Sequence, residues 1–151
     1  MKNENQNQAN AFKPSQAQIV KTTWSLVTPM AAEVGPLFYG RLFEIAPETK
    51  SLFMRTTIPE QSKKLLAMMS YVISNLDKIE TLVDEVNALA LRHVQYGVKA
   101  EHYEKVGQAL LWTLEQGLGT AWTNAAREAW TNCYLLLSGV MIQAADRKMV
   151  A

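Results

Sequence analysis

Past Pro14, apolar residues recur three and four positions apart in nearly every segment, and no segment shows the two-residue alternation of a half-buried strand. Stripes of that period are buried by packing helix on helix. The fold class is therefore all-α, with roughly six to eight helices joined by short connections. Ser15 and Gln18 have capping-box spacing and predict a helix start ahead of Ile19, Val20, Trp24 and Val27. Pro36 marks the start of a second helix, which Pro47 breaks soon after Phe43 and Ile45. Thr57 and Glu60 form another capping box, with Pro59 tolerated in the first turn. The helix they open has a wide apolar face of Leu65, Met68, Met69, Val72, Ile73 and Leu76. A further helical stretch runs from about residue 77 to 95 and stops near Gly97. Tyr103, Val106, Gly107, Leu110 and Leu114 repeat at helical spacing until Gly117 and Gly119 punctuate the chain. Ala126, Trp130, Cys133, Leu137 and Met141 mark a long final helix. Residues 1–12, rich in Asn and Gln, read as a disordered tail ahead of one domain over 13–151.

A chain of 151 residues can bury a core without metals or disulfides as staples. Lys and Arg number 15 against 14 Asp and Glu, so no basic field is available for nucleic acid and no electrostatic lever acts on membranes. The longest apolar stretches, such as residues 134–142, are too short and interrupted to span a bilayer. The opening MKNENQNQAN lacks an apolar h-region, and the lone Cys133 excludes an internal disulfide framework. These features point to a cytoplasmic protein.

Catalytic signatures are sparse. CxxC, HExxH, GxGxxG and P-loop patterns are absent, and the histidines are His93 and His102. That argues against a metal site of clustered His and Cys ligands. On the residues alone, His93 is a structural histidine on a helix. Met68 and Met69 are gap-filling core rather than metal ligands, and Cys133, amid Trp130 and Leu137, is a buried small hydrophobe.

Three stretches carry a family resemblance. LALRHVQYGVKAEHYEKVGQALLWTLEQGLG, residues 89–119, resembles the segment around the iron-ligating histidine of bacterial globins. LFYGRLFEIAPETKSLF, residues 37–53, resembles the second and third helices of that family, and EAWTNCYLLLSGVMIQ, residues 128–143, its final helix. From about residue 15 to 143 the chain is similar to single-domain bacterial haemoglobins and the globin portion of flavohaemoglobins. It is more distantly similar to neuroglobin.

The resemblance implies a globin fold around a non-covalent haem b and its iron; CxxCH, the signature of covalent attachment, is absent. It puts His93 at the proximal iron ligand, Leu89 one helical turn before it, and Phe53 at the phenylalanine that packs against haem. Tyr39 and Gln61 fall at distal positions that meet a bound gas, with Leu65 one turn after Gln61. Val98, Tyr103 and Val106 fall at further proximal or pocket-lining positions. The second ring nitrogen of His93 is expected to donate to the Leu89 carbonyl and fix the tautomer, while Leu89 and Val98 wedge the ring. His102 is expected to be a surface or interhelical histidine. Lys64, near the rim, is a candidate partner for a haem propionate or an internal iron ligand in the gas-free protein, and Arg92 is a second propionate candidate.

Bound dioxygen becomes partly superoxide-like, so donors at Tyr39 and Gln61 would hold it. A charge-assisted bond of about 1.5–3 kcal/mol lengthens residence roughly 10- to 150-fold. Reversible dioxygen binding for storage or delivery is thus the first expectation. Nitric oxide dioxygenation is the enzymatic alternative. It would draw electrons from a separate reductase, because the flavin- and NAD-binding module of flavohaemoglobins does not follow before Ala151. A gas sensor acting through a partner and a haem-free helical interaction protein are the other classes. One departure weakens the enzymatic reading: Ala145 stands where flavohaemoglobins have a glutamate bonded to the proximal histidine, and Asp146 is rotated about 100° from it.

Overall fold

The apolar stripes fold as six α-helices among residues 12–150, the span that the computed structural model describes. They are α1 (Pro14–Val27), α2 (Ala31–Ile45), α3 (Ile58–Ser74), α4 (Val83–Gln95), α5 (Ala100–Leu118) and α6 (Asn124–Val150). Tighter 3-10 turns occupy Thr28–Met30, Pro47–Phe53, Leu76–Thr81 and Gly119–Ala121, and no strand occurs among the described residues. The tail expected over 1–12 lies outside these residues, except for Phe12, which packs partly buried against the core. Among the described residues, no helix is long and apolar enough to cross a membrane.

Helix α2 crosses both α5 and α3, whereas α1 and α4 lie on the long α6. The apolar interior forms three clusters. The largest joins α1, α5 and α6 through Val20, Trp24, Leu114 and Trp130. Its indoles are satisfied internally: Trp130 Nε1 donates to Thr23 Oγ1 at 2.8 Å and Trp24 Nε1 to Ser70 Oγ at 2.9 Å. A second cluster gathers Phe38, Tyr39, Leu42 and Ala109, and a third gathers Leu82, Val86, Ala90, Met141 and Ala144.

Several element boundaries differ from the sequence expectation. Helix α1 begins at Pro14, whose fixed φ suits a first helical position, so the cap is Lys13 rather than Ser15. Gln16 Oε1 accepts from the Lys13 N–H at 3.2 Å, which is half of a capping box two residues earlier. Pro36 sits inside α2 rather than at its start. Its missing N–H would have bonded the Ala32 carbonyl, and both residues are exposed, so water can serve that oxygen. The preceding Gly35 has no Cβ to clash with the proline ring. Leu76 is buried beyond the end of α3, and the helical stretch over 77–95 is broken at Lys78 (φ −127°, ψ 47°). Gly117 lies within α5, which ends at Gly119. The Thr57 cap is present, accepting from the Glu60 N–H at 3.3 Å.

Candidate functional site

The candidate site is built from two groups of residues, one at the α2–α3 crossing and one at the end of α4. The first half grows from the α2–α3 crossing. There Gly35 and Ser62, both buried, bring the helices into close approach. One turn beyond Gly35 is Tyr39, buried at 2% exposure, and beside Ser62 is Gln61. The crossing brings the Gln61 side chain close enough to the Tyr39 hydroxyl to act on its pKa. Aromatic rings surround that hydroxyl's ring: Phe38 at 4.9 Å, Phe53 at 5.3 Å and Phe43 at 6.1 Å between centroids. Burial pushes the Tyr39 phenol up to about 12, against a smaller downward pull from Gln61. Leu65 and Val106 pack on this same cluster, half-buried.

The second half is the end of α4. Gly97, with φ at +92°, closes the helix so that Val98 N–H reaches the His93 carbonyl at 2.9 Å and Gly97 N–H the Val94 carbonyl at 3.0 Å. This double closure needs a left-handed residue, which glycine supplies without strain, and it sets Val98 beside His93. The imidazole is fixed independently, with Nδ1 lying 2.8 Å from the Leu89 carbonyl. That contact makes Nδ1 the protonated nitrogen and leaves Nε2 with a lone pair and no hydrogen-bond partner among the described residues. Burial lowers the His93 pKa, with the Leu89 carbonyl opposing and Arg92 reinforcing the shift. No carboxylate contributes, and Ala145 on α6 is half-buried. The Tyr103 ring stacks on the imidazole at 6.4 Å and 23°.

Sequence reasoning missed what holds Tyr103. Tyr134 of α6 donates its hydroxyl to the Tyr103 carbonyl at 2.5 Å, and its ring lies where a Cβ on Gly107 would come within 2.7 Å. The glycine inside an apolar stripe was the available signal. Met68, read as core, instead lines a cleft of about 220 Å³ between α3 and α4, together with Val72, Val86, Leu89 and Arg92. The Tyr71 hydroxyl faces the Glu85 carboxylate over that cleft, which raises the Tyr71 pKa. Arg92, which lines it, is exposed, and so is Lys64 one turn before Met68 on α3. His102 is not brought to the site: it is buried at the start of α5, where Nδ1 accepts from the Lys99 N–H at 2.9 Å.

The family model described as Globin matches residues 37–141. The chain belongs to the globin family. Neuroglobin from Dissostichus mawsoni is 29% identical over 139 residues, covering 83% of this chain and 87% of that protein. A flavohemoprotein from Vibrio cholerae is 32% identical over 126 residues, covering 82% of this chain and 32% of the relative. Among solved structures, an engineered carbene transferase named for a nitric oxide dioxygenase-like protein of Rhodothermus marinus matches with a TM-score of 0.82 at 23% identity. It aligns over 92% of this chain and 96% of that one, which shows a shared fold.

Membership of the globins implies a haem iron. The residues of this globin fit such a group. The apolar side chains of Phe43, Phe53, Leu65, Met68, Leu89, Val98 and Val106 are all only half-buried, so the protein alone leaves them incompletely covered. A flat apolar cofactor is what such a lining would cover. An unpartnered neutral imidazole nitrogen on the neighbouring helix is the donor that haem iron takes.

Proposed function

We propose that this globin holds haem b non-covalently through His93 and binds dioxygen reversibly at ferrous iron, serving storage or delivery. The pairing of the buried Tyr39 hydroxyl with Gln61 at the α2–α3 crossing carries this reading. When bound, ferrous haem supplies an iron with a coordination position open to a diatomic gas. His93 offers it Nε2; burial favours the neutral ring, and the Leu89 carbonyl orients it by accepting a hydrogen bond from Nδ1–H. Leu89, Val98 and Tyr103 brace the imidazole, while Phe53, Leu65 and Val106 exclude water from the gas side. Lys64 and Arg92 are placed to meet the propionates at the rim.

Tyr39 keeps its proton at neutral pH as any phenol does, and a pKa pushed up to about 12 keeps it there well into the alkaline range. It therefore acts as a donor to a gas that carries partial negative charge. Gln61, swung onto the phenolic oxygen as a donor, would polarise the O–H further. Tyr39→Phe is expected to speed dioxygen release about 10- to 150-fold in stopped-flow displacement. An unchanged release rate would remove Tyr39 from the distal role.

The solved structural neighbour, named for a nitric oxide dioxygenase-like protein, suggests one second reading, nitric oxide dioxygenation with electrons from a separate reductase. Repeated turnover of nitric oxide to nitrate with a supplied reductant would establish it, whereas one stoichiometric reaction would leave oxygen binding as the role. Among the described residues no carboxylate acts on His93, which favours oxygen binding. We assign the globin unit to residues 13–151 and the protein to the cytoplasm, in keeping with the buried, unpaired thiol of Cys133.

A further inference from the structure

We infer that Gly35 is a positioning residue for the distal hydrogen-bond pair: its missing side chain lets α2 and α3 cross closely enough for Gln61 to meet the Tyr39 hydroxyl. A Cβ built at Gly35 would overlap both Cβ and Oγ of Ser62. Ser62 has nowhere to retreat. It is 5% exposed, and its Oγ is a buried hydroxyl without a hydrogen-bond partner, pressed into the crossing. The contact and the pair share one register. Tyr39 follows Gly35 by four residues and so lies one turn along the same face of α2, and Gln61 is the chain neighbour of Ser62. Any wedge between 35 and 62 therefore opens the helices at the point where the phenol and the amide meet.

Nothing else at position 35 explains a glycine as directly. In an ordinary helix interior glycine is the poorer choice than alanine. Pro36 adds a separate preference, since a Cβ on the preceding residue clashes with the proline ring. That preference affects stability alike whatever stands at 62, so the identity of residue 62 separates the two effects. The overlap involves Ser62 Cβ as well as Oγ, so Ser62→Ala cannot relieve it and Ser62→Gly can.

The consequence for gas rests on the distal role proposed above, and the positioning itself can be read without it. The experiment uses the full haem-loaded chain in its ferrous carbon monoxide form, with the Tyr39 ring carbon bearing the hydroxyl followed by 13C NMR and assigned with Tyr39→Phe. In Gly35→Ala the signal is expected to move to the position it takes in Gln61→Ala. Adding Ser62→Gly is expected to return it, and adding Ser62→Ala to leave it displaced. Dioxygen release, measured in parallel, should rise about tenfold or more in Gly35→Ala and fall back in the Ser62→Gly double variant. Carbon monoxide release, which draws less on a hydrogen-bond donor, should change far less. A parent-like tyrosine signal in Gly35→Ala, or rescue by Ser62→Ala as full as by Ser62→Gly, overturns the inference. If Tyr39→Phe leaves dioxygen release unaltered, the gas reading fails while the NMR signal still decides the positioning. Should Gly35→Ala not accumulate, the Gly35→Ala/Ser62→Gly protein carries the test, and a displaced signal there refutes it.

Discussion

Burial decides the protonation of the side chains that matter most here. Cys133 shows it outside the site: its thiol is pushed from 9.0 up to about 12. At pH 8 the folded thiol holds far less thiolate than an exposed one, so iodoacetamide is expected to label it only as the chain unfolds. Labelling at the rate of a free thiol under native conditions would contradict its burial. The sign of the linked stability follows from the same shift. A thiol whose pKa rises on folding contributes stability that is full below 9.0 and is lost as pH climbs toward 12. Cys133→Ala should therefore unfold with a shallower alkaline limb in pH-dependent denaturation. The lowered His93 pKa has the opposite sense: it favours the neutral imidazole, so stability is full above the ordinary histidine pKa and falls as the pH drops below it.

The helices were readable because their stripes are long and their periods unambiguous, as in α5 with Tyr103, Val106, Leu110 and Leu114. Their ends are less so, because what a capping residue or proline does depends on its neighbours. Pro36 looks like a start signal until Gly35 before it removes the clash that makes prolines terminate helices. The Leu89 carbonyl contact of His93 could be anticipated because it is a spacing of four within one helix. The roles of Tyr134 and Ser62 could not, since each depends on how two distant helices cross. The same holds for the buried bridge between α1 and α6, in which Thr23 accepts from the Trp130 indole across 107 residues of sequence. Thr23→Val keeps the shape and strands that N–H, so a loss of about 1–3 kcal/mol is expected in urea denaturation. A cost near zero would mean that water reaches the indole.

Across the whole molecule, burial is uneven. Helix α5 buries His102, Gly107, Ala109, Thr113, Leu114 and Leu118, whereas α4 buries Val86 and Ala90 along its 13 residues. A helix so lightly held opens at low free energy. In hydrogen exchange of the haem-free chain, α4 is expected to lose protection before α5, and haem to protect α4 the most while raising Tm by mass action. Equal protection of both helices without haem would show that α6 alone suffices to hold α4. The division of the interior has an evolutionary consequence. Tyr39 and its aromatic neighbours form one buried cluster, and the residues beneath His93 form another with no buried member in common. Substitutions that change how long a gas stays need not loosen the grip on the metal, because distant sites combine close to additively. Descendants of such a chain could drift in gas preference step by step, each variant still keeping its cofactor.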